Sequence, residues 1–391
     1  MTSGDANALG AITNLYRRFT RLYTAVPYRL FRSGRSFPTS HYFFEVTRRC
    51  NLRCKMCQYI DWLEATPTRV QAEGELTTDE WLKVIDQTGR FSIITFTGGE
   101  VFVRKDFMEI LEHASAKRRT HVISNATMLT EERARRWAEL APKRLGGRGL
   151  NFVGVSLDGT QAVHDVIRAQ RGAFDRSIRG VEMLTRFRKD LGRKTPYIHI
   201  NTVIQEENLD CLPEMPGMVK AAGADVLNLL TEMRSHDLPE LGHVDPSTFG
   251  RSDVQNPRID RSRLDASLRR TLEAAQEAGI EVRLPRMPYE SVIEHYDGGY
   301  DLKAFECRAV WTNLYVGAKG GVYPCFILKV GNVRENTLRE LWNGEKLRDF
   351  RVRRRDGGFA VCRGCCELEH TGGACGHATA EDAARKPASA R

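Results

Sequence analysis

The apolar and polar positions of this chain follow two alternating periods from about residue 41 to residue 235. Short apolar runs are each followed by a longer stretch in which apolar residues recur every three or four positions. The pattern predicts strands at His41–Val46, Ile93–Thr97, His121–Ser124, Asn151–Ser156, Ile198–Ile204 and Asp225–Leu230. It predicts helices at Thr78–Gln87, Asp106–Ala116, Glu131–Leu140, Ala173–Phe187 and Leu212–Ala222. Strand–helix repetition of this kind indicates an α/β fold with a parallel sheet and helices on its faces.

Other segments surround this repeat. Residues 236–300 are turn-rich and include one helical stretch, Arg261–Ala278, so they predict a linker or a lid over a substrate. Residues 301–376 carry cysteines and the run KGGVYPC, which predicts a β-hairpin. Residues 377–391 are small and polar, a composition typical of a disordered tail.

Residues 1–40 form an N-terminal extension that is basic and amphipathic, most clearly across residues 12–33. Apolar residues recur at helical spacing from Ile12 to Val26 with arginines opposite, and Pro27 predicts the end of the helix. Such a helix docks on its own domain or lies as a peripheral contact on an anionic membrane, and the pattern allows both.

Composition and charge narrow the class of protein. The 391 residues are 41% apolar and 28% charged, as in globular proteins, and no run of about 18 apolar residues predicts a membrane span. The N-terminus lacks the pattern of a secretory signal, so we expect a cytoplasmic protein whose ten cysteines bind metal rather than form disulfides. The net charge of +9 is scattered without interleaved aromatics, so no nucleic-acid partner is expected.

Three cysteines follow the first predicted strand with the spacing Cys50-x3-Cys54-x2-Cys57. Three thiolates within eight residues make a compact cage for one metal centre and leave a coordination position open for chemistry. A zinc knuckle that takes its fourth ligand from elsewhere is the alternative, although zinc sites more often pair cysteines as two C-x2-C units.

This cysteine spacing resembles that of the radical S-adenosylmethionine (SAM) superfamily. The resemblance implies a partial (β/α)6 TIM-like barrel in residues 41–235, with a [4Fe–4S] cluster whose fourth iron binds SAM. Met56 then lies near the adenine. The run Gly98-Gly99-Glu100 after the second strand is similar to the family motif that holds the amino group of SAM. Two glycines also allow a close backbone approach, and a carboxylate accepts from an ammonium group.

Polar residues end the next predicted strands. The resemblance implies that they contact the ribose and methionine parts of SAM, and that Arg168 binds the SAM carboxylate. Ordinary turn chemistry, or a solvated helix arginine, is the alternative explanation for the same residue types. These candidates are Ser124, Asn125, Ser156, Asp158 and Arg168.

Four further cysteines predict a second, closed metal site, either a zinc ribbon or an iron–sulfur cluster. They are Cys307, Cys325, Cys362 and Cys365. The segment resembles the SPASM/twitch extension of radical SAM enzymes, in which Leu338–Trp342 and Gly331–Val333 also recur. A complete SPASM pattern needs a cysteine where Thr371 stands, so the resemblance implies a twitch-type domain with one auxiliary [4Fe–4S] cluster. Cys366 or Cys375 remains an alternative ligand.

The resemblance implies a radical SAM enzyme. Such an enzyme cleaves SAM reductively to a 5′-deoxyadenosyl radical, which abstracts hydrogen from a substrate, with a flavodoxin or ferredoxin as the reductant. A second cluster favours an oxidative modification of a small molecule or natural product. Peptide maturation, lipid modification and a non-catalytic iron–sulfur protein remain alternatives. The sequence does not name the substrate, the general base, the fate of SAM or the oligomeric state.

Overall fold

The computed structural model describes residues 22–232, 257–297, 301–325, 328–355, 362, 365 and 367–371. One ten-stranded sheet organises the chain, in the order β11-β10-β9-β1-β2-β3-β4-β5-β6-β7. Strands β1 to β7 are parallel neighbours in chain order, so the predicted α/β class is confirmed. The strands of this sheet are β1 His41–Glu45, β2 Ile93–Thr97, β3 Arg119–Ser124, β4 Gly149–Ser156, β5 Tyr197–Ile204, β6 Val226–Thr231, β7 Glu281–Arg283, β9 Asn313–Val316, β10 Gly321–Tyr323 and β11 Gly331–Asn332.

Helices connect these strands, as the 3.6-residue period predicts. They are α1 at residues 22–30, α2 Ile60–Ala65, α3 Thr78–Asp86, α4 Phe107–Lys117, α5 Glu131–Glu139, α6 Gln161–Ile167, α7 Ala173–Asp190, α8 Met215–Ala221, α9 Arg261–Ala278, α10 Tyr289–Asp297, α11 Leu338–Trp342 and α12 Glu345–Arg355. The predicted capping box is present, because the Thr77 hydroxyl accepts from the Glu80 N–H and the Glu80 carboxylate accepts from the Thr77 N–H. The helix predicted from Leu212 opens instead as a 3-10 turn before α8.

The two faces of the sheet differ in chemistry because side chains alternate along each strand. Phe44 of β1 packs against Trp81 of α3 and Phe96 of β2, with ring centroids 5.3 and 5.9 Å away. This face forms the hydrophobic core under the helices. The opposite face, which we refer to as the inner face, carries His41 and Phe43 from the same strand.

The cysteine-bearing C-terminal segment extends this sheet. Strand β9 pairs in parallel with β1, and β9 and β10 form the hairpin predicted from KGGVYPC. A separate two-stranded sheet joins β8 Phe305–Cys307 to β12 Leu368–His370. Strand β7, which sequence patterning did not identify, adds a seventh parallel strand after α9. The domain limits expected from the sequence stay a prediction.

The described part of the N-terminal extension docks on the C-terminal segment. Tyr28 lies edge-on to Trp311 at 4.9 Å, and Arg355 donates from Nη2 to the Phe31 carbonyl at 2.9 Å. Helix α1 continues through Pro27, so the predicted end there is wrong, because the Pro27 carbonyl still accepts from the Phe31 N–H at 3.2 Å.

The described residues contain no helix that is long and apolar enough to cross a membrane. Residues 12–21 of the predicted amphipathic stretch 12–33, and the whole tail 377–391, lie outside those residues.

Candidate active site

The first cysteine loop follows β1 and is wrapped into an apolar patch. Cys54 is buried, Cys50 and Cys57 are half-buried, and Met56 packs with them against Ala173 at the start of α7. The sulfurs of Cys50 and Cys57 each accept a backbone N–H at 3.4 Å, from Leu52 and Tyr59. The loop therefore presents its sulfurs in a fixed arrangement.

These thiols fit an iron–sulfur cluster. Burial raises the pKa of Cys50 to about 12 and also raises the pKa of Cys57, so both hold protons at neutral pH until a metal displaces them. Across the described residues, no three His, Cys, Asp or Glu side chains converge on a single metal ion. Three thiolates that each bind a different iron need no such convergence, and a partly buried sulfur set with N–H donors is typical of cluster sites.

Gly98 and Gly99 hold the base of this loop. A Cβ on Gly98, whose φ is +155°, would lie 2.2 Å from the Thr47 carbonyl oxygen, and one on Gly99 would lie 2.3 Å from that of Arg49. The Gly99 N–H donates to Thr47 O at 2.8 Å, and the Glu100 N–H donates to Arg49 O at 2.9 Å. The close approach thus joins backbone to backbone and positions the cysteine loop beside β2.

The Glu100 side chain lies beneath the same loop and is 1% exposed. Its carboxylate accepts from the Phe102 N–H at 3.2 Å, the Ser124 hydroxyl at 2.8 Å and the Asn125 N–H at 2.8 Å. Burial raises the pKa of Glu100, while these donors oppose that shift. Glu100 therefore ties the ends of β2 and β3 together, and its contact with SAM stays a prediction.

Asn125 links the end of β3 to the cysteine loop. Its Nδ2 donates to Asn51 Oδ1 at 3.0 Å, and Asn51 Nδ2 donates to the Thr127 hydroxyl at 2.8 Å. The Asn125 carbonyl accepts from the Ser177 hydroxyl of α7 at 2.7 Å. Of the expected site residues, Asn125 thus contacts the loop directly, whereas Ser124 contacts Glu100. No local pattern indicated Asn51, because its partner is 74 positions away.

Arg168 and Asp158 form a buried ion pair that reaches the loop. Asp158 is fully buried and accepts from Arg168 Nε at 2.7 Å and Nη2 at 2.5 Å. Arg168 Nη1 donates to Cys54 Sγ at 3.5 Å. The guanidinium therefore places positive charge beside the sulfur of a predicted cluster ligand. Its contact with the SAM carboxylate stays a prediction.

Ser156 ends β4 beside Asn201 of β5, and its hydroxyl makes no hydrogen bond to any residue in the described ranges.

At the end of β1, Glu45 accepts from the Tyr59 hydroxyl at 2.6 Å and from Arg48 Nε at 2.9 Å. Sequence reasoning missed Glu45, although the alternation along β1 places it on the inner face.

A belt of side chains crosses the inner face over five strands. His41 Nε2 lies 2.7 Å from the Thr95 hydroxyl, and the His41 and His121 rings are 6.0 Å apart. Phe152 lies 5.1 Å from His121 and 4.5 Å from His199. Burial lowers the pKa of His121 and of His199 to about 3, and that of His41 well below its usual value. The three imidazoles are therefore neutral at physiological pH.

The described C-terminal cysteines lie in or against the hydrophobic core, and no three of them converge on one metal ion. Cys307 lies opposite Leu368 in the β8–β12 pair, Cys362 acts electrostatically on Cys307, and the Cys365 N–H donates to Cys362 O at 3.1 Å. Burial raises the pKa of Cys307 to about 11. Cys325, which ends the β9–β10 hairpin, packs against the same core. Cys366 and Cys375 lie outside the described residues.

Both cysteine sites match known families. The radical SAM superfamily matches residues 44–216, and the SPASM iron–sulfur cluster-binding domain matches residues 307–366. An AdoMet-dependent heme synthase from Methanosarcina barkeri is 30% identical over 345 residues, covering 82% of this chain and 89% of that protein. A pre-heme d1 synthase from Dinoroseobacter shibae is 25% identical over 384 residues, covering 91% of this chain and 83% of that protein.

Solved structures share the fold. Streptococcus suis SuiB bound to S-adenosylmethionine has a TM-score of 0.56 at 16% identity, covering 81% of this chain and 68% of that one. SuiB bound to its precursor peptide SuiA has a TM-score of 0.54 at 15% identity, covering 80% and 66%. The SAM-binding [4Fe–4S] cluster and auxiliary iron–sulfur binding follow from the two matched domains. The chain therefore belongs to the radical SAM superfamily and carries a C-terminal SPASM domain.

Proposed function

We propose that this enzyme uses SAM to remove hydrogen from a small molecule in an oxidative modification, and that the small molecule is an iron tetrapyrrole with acidic side chains. The inner-face belt is the observation that carries the substrate class. It offers neutral imidazoles and aromatic rings, and arginines act on it electrostatically, namely Arg119, Arg283 and Arg286. An iron tetrapyrrole matches each of these groups: its metal can bind an imidazole, its flat ring can pack on aromatic side chains, and its carboxylates can pair with arginines. The heme synthase and pre-heme d1 synthase relatives support the same class.

Contacts and strand positions relate the belt to both cysteine sites. It is three to four residues below the strand ends, because His121 precedes Ser124 and Phe152 precedes Ser156. At 3.3 Å per residue this is roughly 10–13 Å from the SAM end of the sheet. Arg286 acts electrostatically on His41 and pairs with Glu367, which lies two residues after Cys365. These contacts support a substrate position on the belt that is near the C-terminal cysteine segment.

Different residues bind the two clusters and SAM. Cys50, Cys54 and Cys57 hold the first cluster, and the C-terminal cysteines hold the auxiliary site. The clusters supply one-electron chemistry when bound, with a flavodoxin or ferredoxin as the external reductant. The chain's own part is to position SAM and exclude water. We assign SAM binding to Met56, Gly98, Gly99, Glu100, Ser124, Asn125, Ser156, Asp158 and Arg168.

Peptide maturation is the competing class, because SuiB has been solved with its precursor peptide. The two classes differ in what the inner face must accept. A peptide needs hydrogen-bonding partners for its backbone, whereas the belt is formed by rings. The belt therefore favours the tetrapyrrole.

The test is made on protein reconstituted without oxygen and mixed with SAM, dithionite and iron coproporphyrin III. We expect 5′-deoxyadenosine and a SAM-dependent change in the mass of the porphyrin, and neither with Cys54→Ala. We also expect about eight irons per chain, since two [4Fe–4S] clusters bind four each. Deoxyadenosine without any porphyrin product would overturn the substrate class. Zinc in place of iron, with no SAM cleavage, would overturn the enzyme assignment.

A further inference from the structure

We infer that His121 ligates the iron of the bound tetrapyrrole, with His41 and His199 flanking it on the same belt. This inference rests on the proposed function and adds to it a specific substrate-binding residue. His121 lies on β3, in the middle of the row of strands that forms the belt. A ligand that spreads over the belt therefore has its centre above this side chain.

The three imidazoles differ in their hydrogen bonds and in their exposure to solvent. His41 has its Nε2 2.7 Å from the Thr95 hydroxyl, and its ring stacks on Phe43 at 4.2 Å. Neither His121 nor His199 has a hydrogen-bond partner among the residues that the structure describes, and neither is sealed from solvent. His199 is 7% exposed, whereas His121 is more exposed. Of the three, His121 thus offers the most accessible unengaged ring nitrogen.

The side chains of the belt are too far apart to bind a bare metal ion together, so the belt favours a metal that is already held by a macrocycle. No three His, Cys, Asp or Glu side chains in the described ranges converge on one ion, so the belt does not chelate a bare cation. An iron held by four nitrogens of a macrocycle needs only one or two further ligands, and a single imidazole supplies one. Neutral imidazole is the form that coordinates metal, and burial keeps His121 in that form.

The belt also provides surfaces for the rest of a flat ligand. Phe152 lies beside His121 at 5.1 Å, and Tyr315 of β9 stacks on Phe43 at 4.6 Å. Arg119 lies two residues before His121 on β3 and lowers the pKa of that imidazole through its charge, after the larger effect of burial. Such a cation near the ring suits an acidic side chain of the ligand.

The experiment titrates ferric iron coproporphyrin III and metal-free coproporphyrin III into the reconstituted full chain, followed by the Soret absorption. We expect the iron compound to show an imidazole-ligated spectrum with wild-type protein. With His121→Ala that spectrum should disappear and iron coproporphyrin should bind about tenfold more weakly, whereas the metal-free compound should bind within about twofold of wild type. Added imidazole should restore the ligated spectrum in the variant.

His113→Ala is the matched control, because His113 lies on α4, away from the belt, and pairs with Asp86. It should leave both titrations unchanged. An unchanged iron spectrum in His121→Ala would overturn the inference, as would equal losses for the two porphyrins. Failure of the wild-type protein to bind iron coproporphyrin while it still forms 5′-deoxyadenosine from SAM would overturn the inference and leave SAM cleavage standing. Ligation without SAM cleavage would support the inference and overturn the proposed reaction.

Discussion

Replacing Arg168 by methionine should destabilise the protein strongly, because it leaves the Asp158 carboxylate without its cation. Asp158 has no exposed surface, and two nitrogens of Arg168 donate to it at 2.5 and 2.7 Å. After the substitution, the Val203 N–H at 3.1 Å is the main-chain donor that remains on the carboxylate. Removing one partner of a buried ion pair costs about 3–5 kcal/mol, since the charge that remains cannot reach water.

The assay is urea unfolding of oxygen-free protein, followed by circular dichroism. A loss of about 3–5 kcal/mol divided by a slope of about 3 kcal/mol per molar urea lowers the midpoint by about 1–1.7 M. The double variant Asp158→Asn/Arg168→Met should recover part of this loss, because it removes the stranded charge. Arg186→Met is the matched control, since Arg186 pairs with Glu131 at the surface, and its midpoint should not change.

Two results would refute this reasoning. The first is an Arg168→Met midpoint equal to that of the wild type, which would mean that water or another cation reaches Asp158. The second is a double variant that is less stable than Arg168→Met alone. That outcome would show that the lost stability came from packing rather than from the unpaired carboxylate.

Three further predictions concern the loop, the belt and the second cysteine site. Gly98→Ala should lower iron retention after gel filtration, because its Cβ would lie 2.2 Å from the Thr47 carbonyl oxygen. Gly146→Ala is the control, since Gly146 also has a positive φ but a Cβ there would have no atom within 4 Å, and this variant should retain iron. Equal losses of iron in the two variants would contradict the close-approach argument. His199 has a pKa of about 3 when folded and about 6.5 when unfolded, so the unfolded chain binds the extra proton and stability falls as pH drops from 6.5 towards 3. His199→Gln should make the slope of unfolding free energy against pH in that window shallower by about 1.4 kcal/mol per unit, and an unchanged slope would show that the ring is hydrated. Cys362→Ser should remove about four irons per chain and preserve 5′-deoxyadenosine formation without substrate, whereas loss of all iron would mean that the two sites load together.

Local patterns anticipated the elements and the cysteine loop. All six predicted strands start and end within two residues of the observed ones, for example His121–Ser124 against Arg119–Ser124. They were predictable because a strand in a sheet has a local pattern of apolar residues. The hairpin before Cys325 was predictable for the same reason, since its turn chemistry is local.

Long-range partners were not predictable in this way. Arg168 meets Cys54 across 114 positions, and no local period encodes that contact. The belt has the same origin, because His41, His121 and His199 come from three strands and become neighbours only through the register of the sheet. The spacing of glycines marked a close approach, but the partner turned out to be the loop backbone, which a sequence cannot show without the pairing of β1 with β2.

Because β9 pairs with β1, the sheet cannot be completed until the ribosome has synthesised the C-terminal segment. His41 pairs with Asn313, which is synthesised 272 residues later (313 − 41). At synthesis rates of about 5–20 residues per second, one edge of β1 remains unpaired for roughly 14–54 s. During that time an unpaired strand edge lies next to a loop with three thiols, a template for association with other nascent chains. Slow synthesis between residues 46 and 313 should therefore lower soluble yield, whereas slow synthesis after residue 316 should not.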